Sequence, residues 1–410
     1  MRSRESNFAG TRFYFCGNAI YNLPAGTQKF IIVSELKPFF TIFMNASLIA
    51  KQFEVNGQLV SAVPYGSGNI NDTYHVIFRT SYSERRFILQ RIRKNVFPQP
   101  SVIMDNMRVV TDICHAKLKE INEDSDRIWQ LPKIIQTHDG KDFYEDANGD
   151  LWRAITYIAS AQSFETVQSG DHAYEAGTVL GFFHNLINDI PVKSLGYVIE
   201  GFHITPNYLE QLDAVKNSKY AKELLAEHRE ARMCMRFIEE RRDFIPVFEN
   251  AKAAGTLKLQ PTHGDPKVGN ILIDEATGKG TSIIDLDTIQ PGLIHADIGD
   301  AVRSACNPAG EDAGDLSSVR CDVDLFASIW RGYKRHAKKF LSEVDYLYVY
   351  DAIRILPLEL GLRFFADYLN GDTYFKTKYN GHNLKRALVQ FKLVESIENH
   401  ESQIRKIIGV

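Results

Sequence analysis

Residues 261–274 read PTHGDPKVGNILID, and residues 282–287 read SIIDLD. Each stretch contains a short apolar run rich in isoleucine, and the turn between the runs contains Gly278 and Gly280. Two β-branched runs joined by a glycine-containing turn predict a compact β-hairpin. The hairpin would bring the loop before its first strand close to Asp285, where the second strand ends.

Three side chains of this hairpin have the chemistry that phosphoryl transfer requires. A carboxylate must orient the attacking hydroxyl and accept its proton, and oxygen ligands must hold a magnesium ion that bridges the phosphates. Asp265, Asn270 and Asp285 supply these groups in that order. One Asp-Pro dipeptide alone would indicate a solvated turn, but the eight residues 263–270 followed by Ile284-Asp285 favour a catalytic loop. His263 is expected to fix this loop through backbone hydrogen bonds rather than to act as a second base.

Residues 263–270 resemble the catalytic loop His-x-Asp-x-Lys-x-x-Asn of the protein-kinase-like superfamily, and Ile284-Asp285 resembles its metal-binding strand end. Within that superfamily, the form Thr-His-Gly-Asp is most similar to the aminoglycoside phosphotransferase-like kinases. Three further segments together resemble the bacterial N-acetylhexosamine 1-kinases: residues 65–74, 285–288 and 367–372. The resemblance covers about residues 44–410.

This resemblance implies an α+β, bilobal protein-kinase-like fold with a small antiparallel-sheet N-lobe and a larger, mainly helical C-lobe. It also implies an ATP-dependent phosphotransferase that acts on a small-molecule hydroxyl, with ATP and Mg²⁺ as cofactors. The narrower resemblance implies that the acceptor is a sugar, phosphorylated at the anomeric hydroxyl of an N-acetylhexosamine to give a sugar 1-phosphate.

By the same resemblance, Asp265 is the catalytic base, and Asn270 and Asp285 hold magnesium. Lys267 would lie near the transferred phosphoryl group, as a second catalytic residue. Asp287 is expected to join the metal site, because side chains two residues apart on an extended segment point to one face. A solvated carboxylate is the alternative for Asp287.

A glycine loop between two predicted strands is the candidate nucleotide-binding loop. Glycines let backbone N–H groups approach phosphate oxygens without interference from side chains, although a lone Gly-x-Gly is usually an ordinary hairpin turn. The predicted nucleotide contacts in this loop are Gly66, Ser67, Gly68 and Asn69.

The third predicted strand departs from the kinase pattern. A kinase usually offers a lysine to the α- and β-phosphates from this strand, and here Gln90 takes that place in the natural register, with Arg91 on the other face. A one-residue bulge would instead turn Arg91 inward. Lys267 is a further candidate for the missing positive charge. Gln90 and Arg91 are both kept as candidate cofactor-binding residues.

Five residues are predicted to bind the acceptor. Asp300 and Arg303 follow the catalytic hairpin at the start of a probable helix, and Asp72 follows the glycine loop. Arg363 and Tyr374 are assigned by the resemblance to hexosamine kinases. Surface roles for these last two, and a capped turn for Asp72, are the alternatives.

The chain divides into a sheet-rich part and a helical part. The predicted domains are an N-terminal extension at residues 1–43, a nucleotide-binding N-lobe at 44–158 and a catalytic, substrate-binding C-lobe at 159–410. One hypothesis is that Met44 is the natural start and that the extension is translated upstream sequence; a genuine N-terminal arm is the alternative.

Period-two patterns and turn dipeptides predict strands at 59–63, 73–78, 87–92, 133–137 and 151–158. Apolar spacing predicts helices at 100–121, 172–188, 207–246, 321–340, 342–369 and 382–407. Ser169 and Asp171 are available to cap the helix at 172–188.

Composition narrows the class of partner. The 410 residues carry a formal net charge of −3, which provides no basic field for nucleic acid or an anionic membrane, so a small-molecule substrate is expected. Five scattered cysteines suggest neither a zinc site nor a redox pair and favour a reducing, cytoplasmic location. No apolar run of about 18 residues predicts a membrane span, and no export signal is apparent. The oligomeric state is left open.

Two other functions fit the motifs. One is a kinase for another small acceptor, such as an aminoglycoside, choline or an amino alcohol, which would require an acidic or aromatic-cage pocket. The loose acidic cluster of Glu311, Asp312 and Asp315 leaves that question open. The other is a catalytically silent nucleotide-binding module, since a fold does not fix a function.

Overall fold

A computed structural model describes residues 46–66, 70–94, 96–123 and 127–410, with the backbone of 4–8, 11–16, 19–22 and 29–30. The last four ranges form a separate antiparallel sheet of strands β1 (Arg4–Phe8), β2 (Thr11–Cys16), β3 (Ala19–Asn22) and β4 (Lys29–Phe30). The rest of residues 1–43 lies outside the described residues, and the status of this extension stays a prediction.

Two compact units make up the chain. Unit 1 comprises Met1–Ile92 and Ile135–Thr156, and unit 2 comprises Arg93–Ile134 and Tyr157–Val410. Residues 93–134 therefore pack with the helical part, although the predicted N-lobe at 44–158 includes them. The functional division at residue 158 stays a prediction.

An antiparallel meander dominates unit 1. Strands β5 (Gln58–Pro64), β6 (Asp72–Arg79) and β7 (Glu84–Ile92) follow one another, and β10 (Leu151–Thr156) pairs antiparallel with β7. The short strands β8 (Ile134–Ile135) and β9 (Tyr144–Glu145) complete this sheet beside β10. The predicted meander is confirmed, whereas the strand predicted at 133–137 contains only two residues.

One face of this sheet carries the apolar core of unit 1. Alternating side chains of the strands pack with a helical segment, α1, at residues 46–50 and with the phenylalanine that follows it. The largest contributors are Phe53, Val76, Phe78, Phe87, Leu89 and Trp152. Because side chains alternate along a strand, Gln90 lies on the opposite face from Leu89.

Unit 2 is mainly helical. The predicted helix at 172–188 is confirmed as α3, and the Ser169 hydroxyl accepts a hydrogen bond from the His172 N–H at 3.1 Å, as a helix N-cap does. The helices are α2 (Pro100–Glu123), α3 (Gly170–Ile187), α4 (Thr205–Val215), α5 (Lys219–Glu227), α6 (Arg229–Glu239), α7 (Val247–Ala253), α8 (Ile294–Ala305), α9 (Val323–Ala337), α10 (Glu343–Leu347), α11 (Val349–Leu369), α12 (His382–Asn399) and α13 (Glu401–Ile408).

Three of the predicted long helices are interrupted. The helix predicted at 207–246 is three helices, because the Ser218 side chain caps a new start and His228 leaves the helical conformation. The segment predicted at 342–369 breaks at Tyr348, and the one at 382–407 breaks at His400. Among the described residues, no helix combines the length and the apolar composition that crossing a bilayer requires.

Short strands support the motif loop within unit 2. Strand β13 (Ile271–Asp274) pairs antiparallel with β14 (Gly280–Ile283), so the predicted hairpin is confirmed, and β11 (Ala161–Gln162) extends it on the other side of β13. Strands β12 (Gln260–Thr262) and β15 (Gln290–Gly292) pair on either side of the catalytic segment.

Candidate active site

The loop after β12 has a conformation that only glycine adopts without strain. Gly264 has φ +86°, and a Cβ atom there would lie 2.7 Å from the carbonyl oxygen of Thr288. The Thr288 hydroxyl donates to the carbonyl of His263 at 2.8 Å. The residue before Asp265 is therefore fixed against the chain that follows Asp285.

A buried carboxylate, Asp297 of α8, organises the start of this loop. It accepts hydrogen bonds from the backbone N–H groups of His263 at 2.6 Å and Gly264 at 2.8 Å, and it bonds His184 Nε2 at 2.8 Å. His184 Nδ1 bonds the Tyr333 hydroxyl at 2.9 Å. Burial alone would raise the pKa of Asp297, but the hydrogen bond and charge of His184 hold it below its usual value.

His263 has the structural role that the sequence predicts. Its Nδ1 accepts the N–H of Asp265 at 3.2 Å, and its Nε2 donates to the carbonyl of Ile284 at 3.0 Å. Burial lowers the pKa of the imidazole, which favours this neutral form. The ring thus joins the catalytic loop to the strand end at Asp285.

Asp265, Lys267 and Asn270 form one polar cluster. Lys267 Nζ lies 2.7 Å from Asp265 Oδ2, and Asn270 Nδ2 donates to the Asp265 backbone carbonyl at 2.7 Å. The charge of Asp265, and then those of Asp285 and Asp300, raise the pKa of Lys267 above its usual value although burial opposes this. Asp265 Oδ1 accepts a hydrogen bond from no residue that the structure describes.

The metal-binding role predicted for Asp287 assumes an extended segment, and this assumption is wrong. Asp285 is left-handed, with φ 64° and ψ 57°, and residues Leu286–Thr288 form a 3₁₀ turn rather than an extended segment. Side chains two residues apart do not share a face in such a turn, so the alternation argument fails. Asp287 is buried, and its place in a metal site stays a prediction.

Asn270 and Asp285 suit a magnesium ion that also binds phosphate. Among the described residues, no group of three or more His, Cys, Asp or Glu side chains is arranged to hold a metal ion by itself. Magnesium in nucleotide sites needs only one or two carboxylates and takes its other ligands from phosphate and water. The amide nitrogen of Asn270 is engaged by Asp265, so its oxygen is the atom that would bind the cation.

Asp300 and Arg303 lie on α8 and pair with each other. Arg303 Nε donates to Asp300 Oδ1 at 2.7 Å, and its Nη1 donates to Glu311 at 3.3 Å. Burial alone would lower the pKa of Arg303, but the charges of Asp300 and Glu311 hold it above its usual value. Asp300 Oδ2 is buried and receives a hydrogen bond from no described residue.

Arg363 lies among aromatic rings. Its guanidinium carbon is 4.8 Å from the ring centre of Tyr208, 5.6 Å from that of Phe375 and 5.7 Å from that of Phe202. The ring of Tyr374 contacts that of Phe375 edge-on, with the ring centres 4.8 Å apart. The structure therefore brings together the two residues that the resemblance assigns to the acceptor.

Asp367 builds the turn that carries Tyr374. Its carboxylate accepts the backbone N–H groups of Thr373, Tyr374 and Phe375 at 2.8–2.9 Å. Asn383 bonds both Asp367, at 3.0 Å, and Asp372, at 2.8 Å. The segment 367–372, noticed as a family resemblance, thus has a physical role in placing Tyr374.

In unit 1, Arg91 is engaged on the core side of the sheet. Its Nε donates to Asp72 Oδ2 at 2.8 Å, and its Nη1 donates to Asp150 at 2.9 Å. Strand β7 pairs with β6 and β10 in an unbroken register, so the proposed bulge at Arg91 is wrong. Asp72 is likewise part of this ion pair, and its predicted role with the acceptor stays a prediction.

Gln90 holds an arginine that sequence reasoning did not select. Gln90 Oε1 accepts two hydrogen bonds from Arg153 of β10, at 2.7 and 3.0 Å, and Gln90 Nε2 donates to Thr73 at 3.1 Å. Arg153 is 1% exposed and stands directly opposite Gln90 in the register. A cation therefore lies beside the position where a kinase would carry its lysine.

Gly66, two residues after the end of β5, has a left-handed conformation, with φ +77°. Ser67, Gly68 and Asn69 lie outside the described residues, so their predicted contacts with nucleotide stay predictions.

His203, which no sequence pattern indicates, contacts the catalytic loop and is itself held by Glu359. His203 Nε2 bonds the carbonyl of Gly264 at 3.0 Å, and His203 Nδ1 bonds Glu359 Oε1 at 2.8 Å. Both partners are more than 60 residues from His203 in the chain, so no local spacing could have indicated the contact.

Comparison with known proteins agrees with this geometry. The sequence profile described as the phosphotransferase enzyme family matches residues 61–316, which is more than half of the chain. Three solved structures share the fold at low sequence identity. A microcompartment-associated aminopropanol kinase is 18% identical, with a TM-score of 0.52 over 88% of this chain and 98% of its own.

The two others act as further references for the fold. A choline kinase from Cryptosporidium parvum is 15% identical, with a TM-score of 0.55 over 89% of this chain and 97% of its own. An aminoglycoside phosphotransferase from Alicyclobacillus acidocaldarius is 12% identical, with a TM-score of 0.53 over 88% and 95%. The predicted α+β kinase-like fold, with an N-terminal antiparallel sheet and a helical C-terminal region, is confirmed.

Proposed function

We propose, from the premise that the chain belongs to the phosphotransferase enzyme family, that its acceptor is a neutral sugar, an N-acetylhexosamine phosphorylated at its anomeric hydroxyl. Membership of the family makes the chain an ATP-dependent phosphotransferase that acts on the alcohol group of a small molecule. The nature of the alcohol, and the residues that recognise it, are the content of the proposal.

In this proposal, Asp265 accepts the proton of the acceptor. The hydroxyl oxygen forms a bond to the γ-phosphorus as the bond to the β–γ bridging oxygen breaks, ADP leaves, and the hydroxyl proton passes to the carboxylate. Lys267 holds Oδ2 at 2.7 Å, which leaves Oδ1 as the atom for the proton. The anomeric hydroxyl is more acidic than the other ring hydroxyls, so a carboxylate with no special tuning suffices.

Asn270 and Asp285 would hold magnesium. When bound, the ion would neutralise charge on the phosphates of the nucleotide. The backbone N–H of Ile284 donates to the carbonyl of Asn270 at 2.9 Å, which keeps the two ligand-bearing segments together. Lys267, two residues from the base, is placed to act on the charge of the transferred group.

The single observation that carries the choice of acceptor is the cation already present among the aromatic rings. A cationic acceptor would itself need an aromatic cage. Here Phe202, Tyr208 and Phe375 surround the guanidinium of Arg363 instead. Arg363 and Tyr374 then offer hydrogen-bond donors, which suit the carbonyl oxygen of an N-acetyl group.

Two carboxylates of the acidic cluster that the sequence left open are paired with cations of the protein itself. Glu311 bonds Arg303 at 3.3 Å. Asp312 bonds Arg386 Nε at 2.7 Å and Lys378 Nζ at 2.6 Å. Glu311 and Asp312 therefore offer little uncompensated charge to an amino alcohol or an aminoglycoside, whereas Asp315 caps a turn through Ser317 at 2.9 Å.

Asp300 provides a place for a sugar hydroxyl. Buried polar atoms are nearly always hydrogen-bonded, so the lone Oδ2 of Asp300 is an acceptor that suits the O–H of a ligand. The charge of Asp300 acts on Lys267, which places it in electrostatic contact with the catalytic cluster.

The experiment that tests this proposal compares matched acceptors with ATP and Mg²⁺. N-acetylglucosamine and glucosamine differ in whether the nitrogen is a neutral amide or a cation, and a panel of choline, ethanolamine and aminoglycosides represents the other acceptors. We expect turnover with the N-acetylhexosamine and a kcat/KM about fivefold to a hundredfold lower with the amine, since a buried unpaired polar group costs about 1–3 kcal/mol.

The position of transfer is tested separately. Phosphorus NMR of the product should show phosphate coupled to the anomeric proton, and the methyl glycoside, which lacks a free anomeric hydroxyl, should be inert. Phosphate at the sixth carbon, or turnover confined to cationic acceptors, would refute the proposed acceptor. The Asp265→Asn variant, prepared in parallel, excludes a contaminating kinase.

A further inference from the structure

His203 lies between two hydrogen-bond acceptors in unit 2. Its Nδ1 is 2.8 Å from Glu359 Oε1, and its Nε2 is 3.0 Å from the backbone carbonyl oxygen of Gly264. The Thr205 hydroxyl donates to the other oxygen of Glu359 at 2.7 Å, so both oxygens of this buried carboxylate accept hydrogen bonds.

The two partners decide the protonation of the ring. A backbone carbonyl accepts only, and a carboxylate accepts only, so each ring nitrogen needs a hydrogen. Neutral imidazole carries one N–H and would face one partner with a lone pair. The contacts at 2.8 and 3.0 Å are both satisfied only by the imidazolium cation.

We propose that His203 is a positioning residue that acts as an imidazolium: it holds the carbonyl of Gly264, and thereby fixes the neighbouring Asp265 for proton transfer. Loss of its proton frees the catalytic loop at that point. The inference rests on Asp265 as the catalytic base, and it does not depend on which acceptor is phosphorylated.

Charges around the ring favour the protonated form. Burial alone would lower the pKa of His203, but the charge and hydrogen bond of Glu359 on α11, the bond to Gly264 and the charge of Asp300 on α8 together raise it above 6.5. The same pair lowers the pKa of Glu359, although burial alone would raise it. Burial raises the pKa of the nearby Tyr208, on α4, to about 12, so this group stays neutral.

The direction of the pH effect follows from the upward shift of the His203 pKa. Because the pKa of His203 is raised in the folded protein, the stability that its proton contributes is fully present below about pH 6.5. That stability is lost as the pH rises through the pKa of the folded protein. The remaining proton stays on Nδ1, because the carboxylate is the stronger acceptor. The contact that is lost is therefore the one with Gly264, and turnover falls on the alkaline side.

The backbone around His203 indicates that this placement is imposed by its contacts. His203 has φ 57°, a conformation that non-glycine residues adopt rarely and at a cost. The ring of Phe202, its neighbour, packs 5.7 Å from the guanidinium carbon of Arg363, one turn after Glu359 on α11. The imidazolium thus joins the catalytic loop to the group of residues assigned to the acceptor.

The test measures kcat at saturating substrates from pH 6 to 9.5 for the wild type and three variants. The wild type should show an alkaline fall of about tenfold to a hundredfold, the range expected for a lost hydrogen bond to a charged group. Gln donates from one nitrogen and does not titrate, so His203→Gln should lower kcat at pH 6.5 and abolish the alkaline fall. Glu359→Gln should move the fall to lower pH by about one unit or more.

A matched control separates this effect from general ones. The ring of His400, at the end of α12, hydrogen-bonds only the carbonyl of Ser396 among the described residues, at 2.7 Å. His400→Gln should keep the wild-type profile, and any titration of the substrates would appear in all four proteins. Lys267 remains charged through this range, because its pKa is raised above 10.5.

A direct measurement needs no turnover. NMR titration of protein labelled at histidine Cε1 should contain one signal, absent in His203→Gln, whose midpoint lies above the ordinary histidine pKa of 6.5. The same signal should titrate at lower pH in Glu359→Gln. A His203 signal with its midpoint at or below pH 6.5, or an alkaline fall that persists unchanged in His203→Gln, would overturn the inference. If sugars are not turned over but the titration is as stated, only the proposed acceptor fails.

Discussion

The catalytic loop and the acceptor segment of unit 2, defined as residues 363–375, are held in opposite ways. The loop around Asp265 is fixed by groups far away in the chain, Asp297 and His203 among them, which bind its backbone. The acceptor segment is fixed mostly from within, because Asp367 binds the N–H groups of the turn that follows it, with Asn383 of α12 as a further support. Tyr374 at its tip is 58% exposed.

This difference separates chemistry from recognition. A loop fixed by several distant elements cannot shift without disturbing each of them, which suits atoms that must be aligned for transfer. A turn fixed by its own helix can change its exposed side chains without affecting the rest of unit 2. Changes in the loop should therefore act on kcat, and changes in the acceptor segment should act on the KM of the acceptor.

The largest effect is expected at the base. Asp265→Asn keeps the shape of the side chain and removes the proton acceptor, so kcat should fall about 10²–10⁴-fold while nucleotide binding, measured by titration calorimetry, is retained. Turnover like that of the wild type would remove Asp265 from the mechanism.

A second large loss of turnover is expected when Asp285, at the end of the hairpin, is changed. Asp285→Ala should abolish measurable turnover if that residue holds magnesium, and should weaken nucleotide binding by at least about tenfold in the presence of Mg²⁺. Without Mg²⁺ the two proteins should bind nucleotide equally. If the wild type binds nucleotide with the same affinity with and without the metal, the assignment of Asn270 and Asp285 is wrong.

A smaller effect is expected in unit 1, at Arg153. Arg153→Met should raise the KM of ATP about tenfold to a hundredfold if the guanidinium beside Gln90 replaces the usual lysine, since hydrogen bonds between charged groups contribute about 1.5–3 kcal/mol. The double variant with Gln90→Lys should recover part of the loss. Arg91→Met is the comparison on the other face of the strand: a rise in the KM of ATP there, and not in Arg153→Met, would assign the role to Arg91.

The smallest effects are expected in the acceptor segment. Arg363→Ala should raise the KM of the acceptor about tenfold and Tyr374→Phe a few-fold, each with little change in the KM of ATP. Tyr379 is a second exposed tyrosine nearby in the chain, so Tyr379→Phe serves as the matched control. A fall in kcat without a change in the acceptor KM would contradict the separation drawn between the two regions.

Sequence reasoning succeeded where the information is local. The meander of β5–β7 and the hairpin of β13 and β14 follow from alternation and turn residues, and the quoted motif places Asp265, Lys267 and Asn270 within a few residues of one another. Such a segment determines most of its own geometry, so its pattern is sufficient to identify it.

Sequence reasoning failed where a single dihedral angle, or a contact with a residue far away in the chain, determines the local geometry. Asp285 is left-handed, which an L-residue rarely adopts, and this one residue turns Asp287 away from the expected alternation. His203 meets Glu359 from 156 residues away, and Arg153 meets Gln90 only through the pairing of β7 with β10. Contacts of this kind depend on the packed fold and leave no spacing in the chain.

The lone oxygen of Asp300 has a consequence for the thermodynamics of the unliganded protein. A buried acceptor without a donor lowers the free energy of unfolding, by about 1–3 kcal/mol in typical proteins. A ligand hydroxyl that satisfies it binds the folded chain and not the unfolded one, so the acceptor alone should raise the melting temperature in a concentration-dependent way. The free energy of unfolding of the unliganded protein would then be lower than that of the protein with its acceptor bound. Such a loss of stability is common where a site is built to bind a ligand.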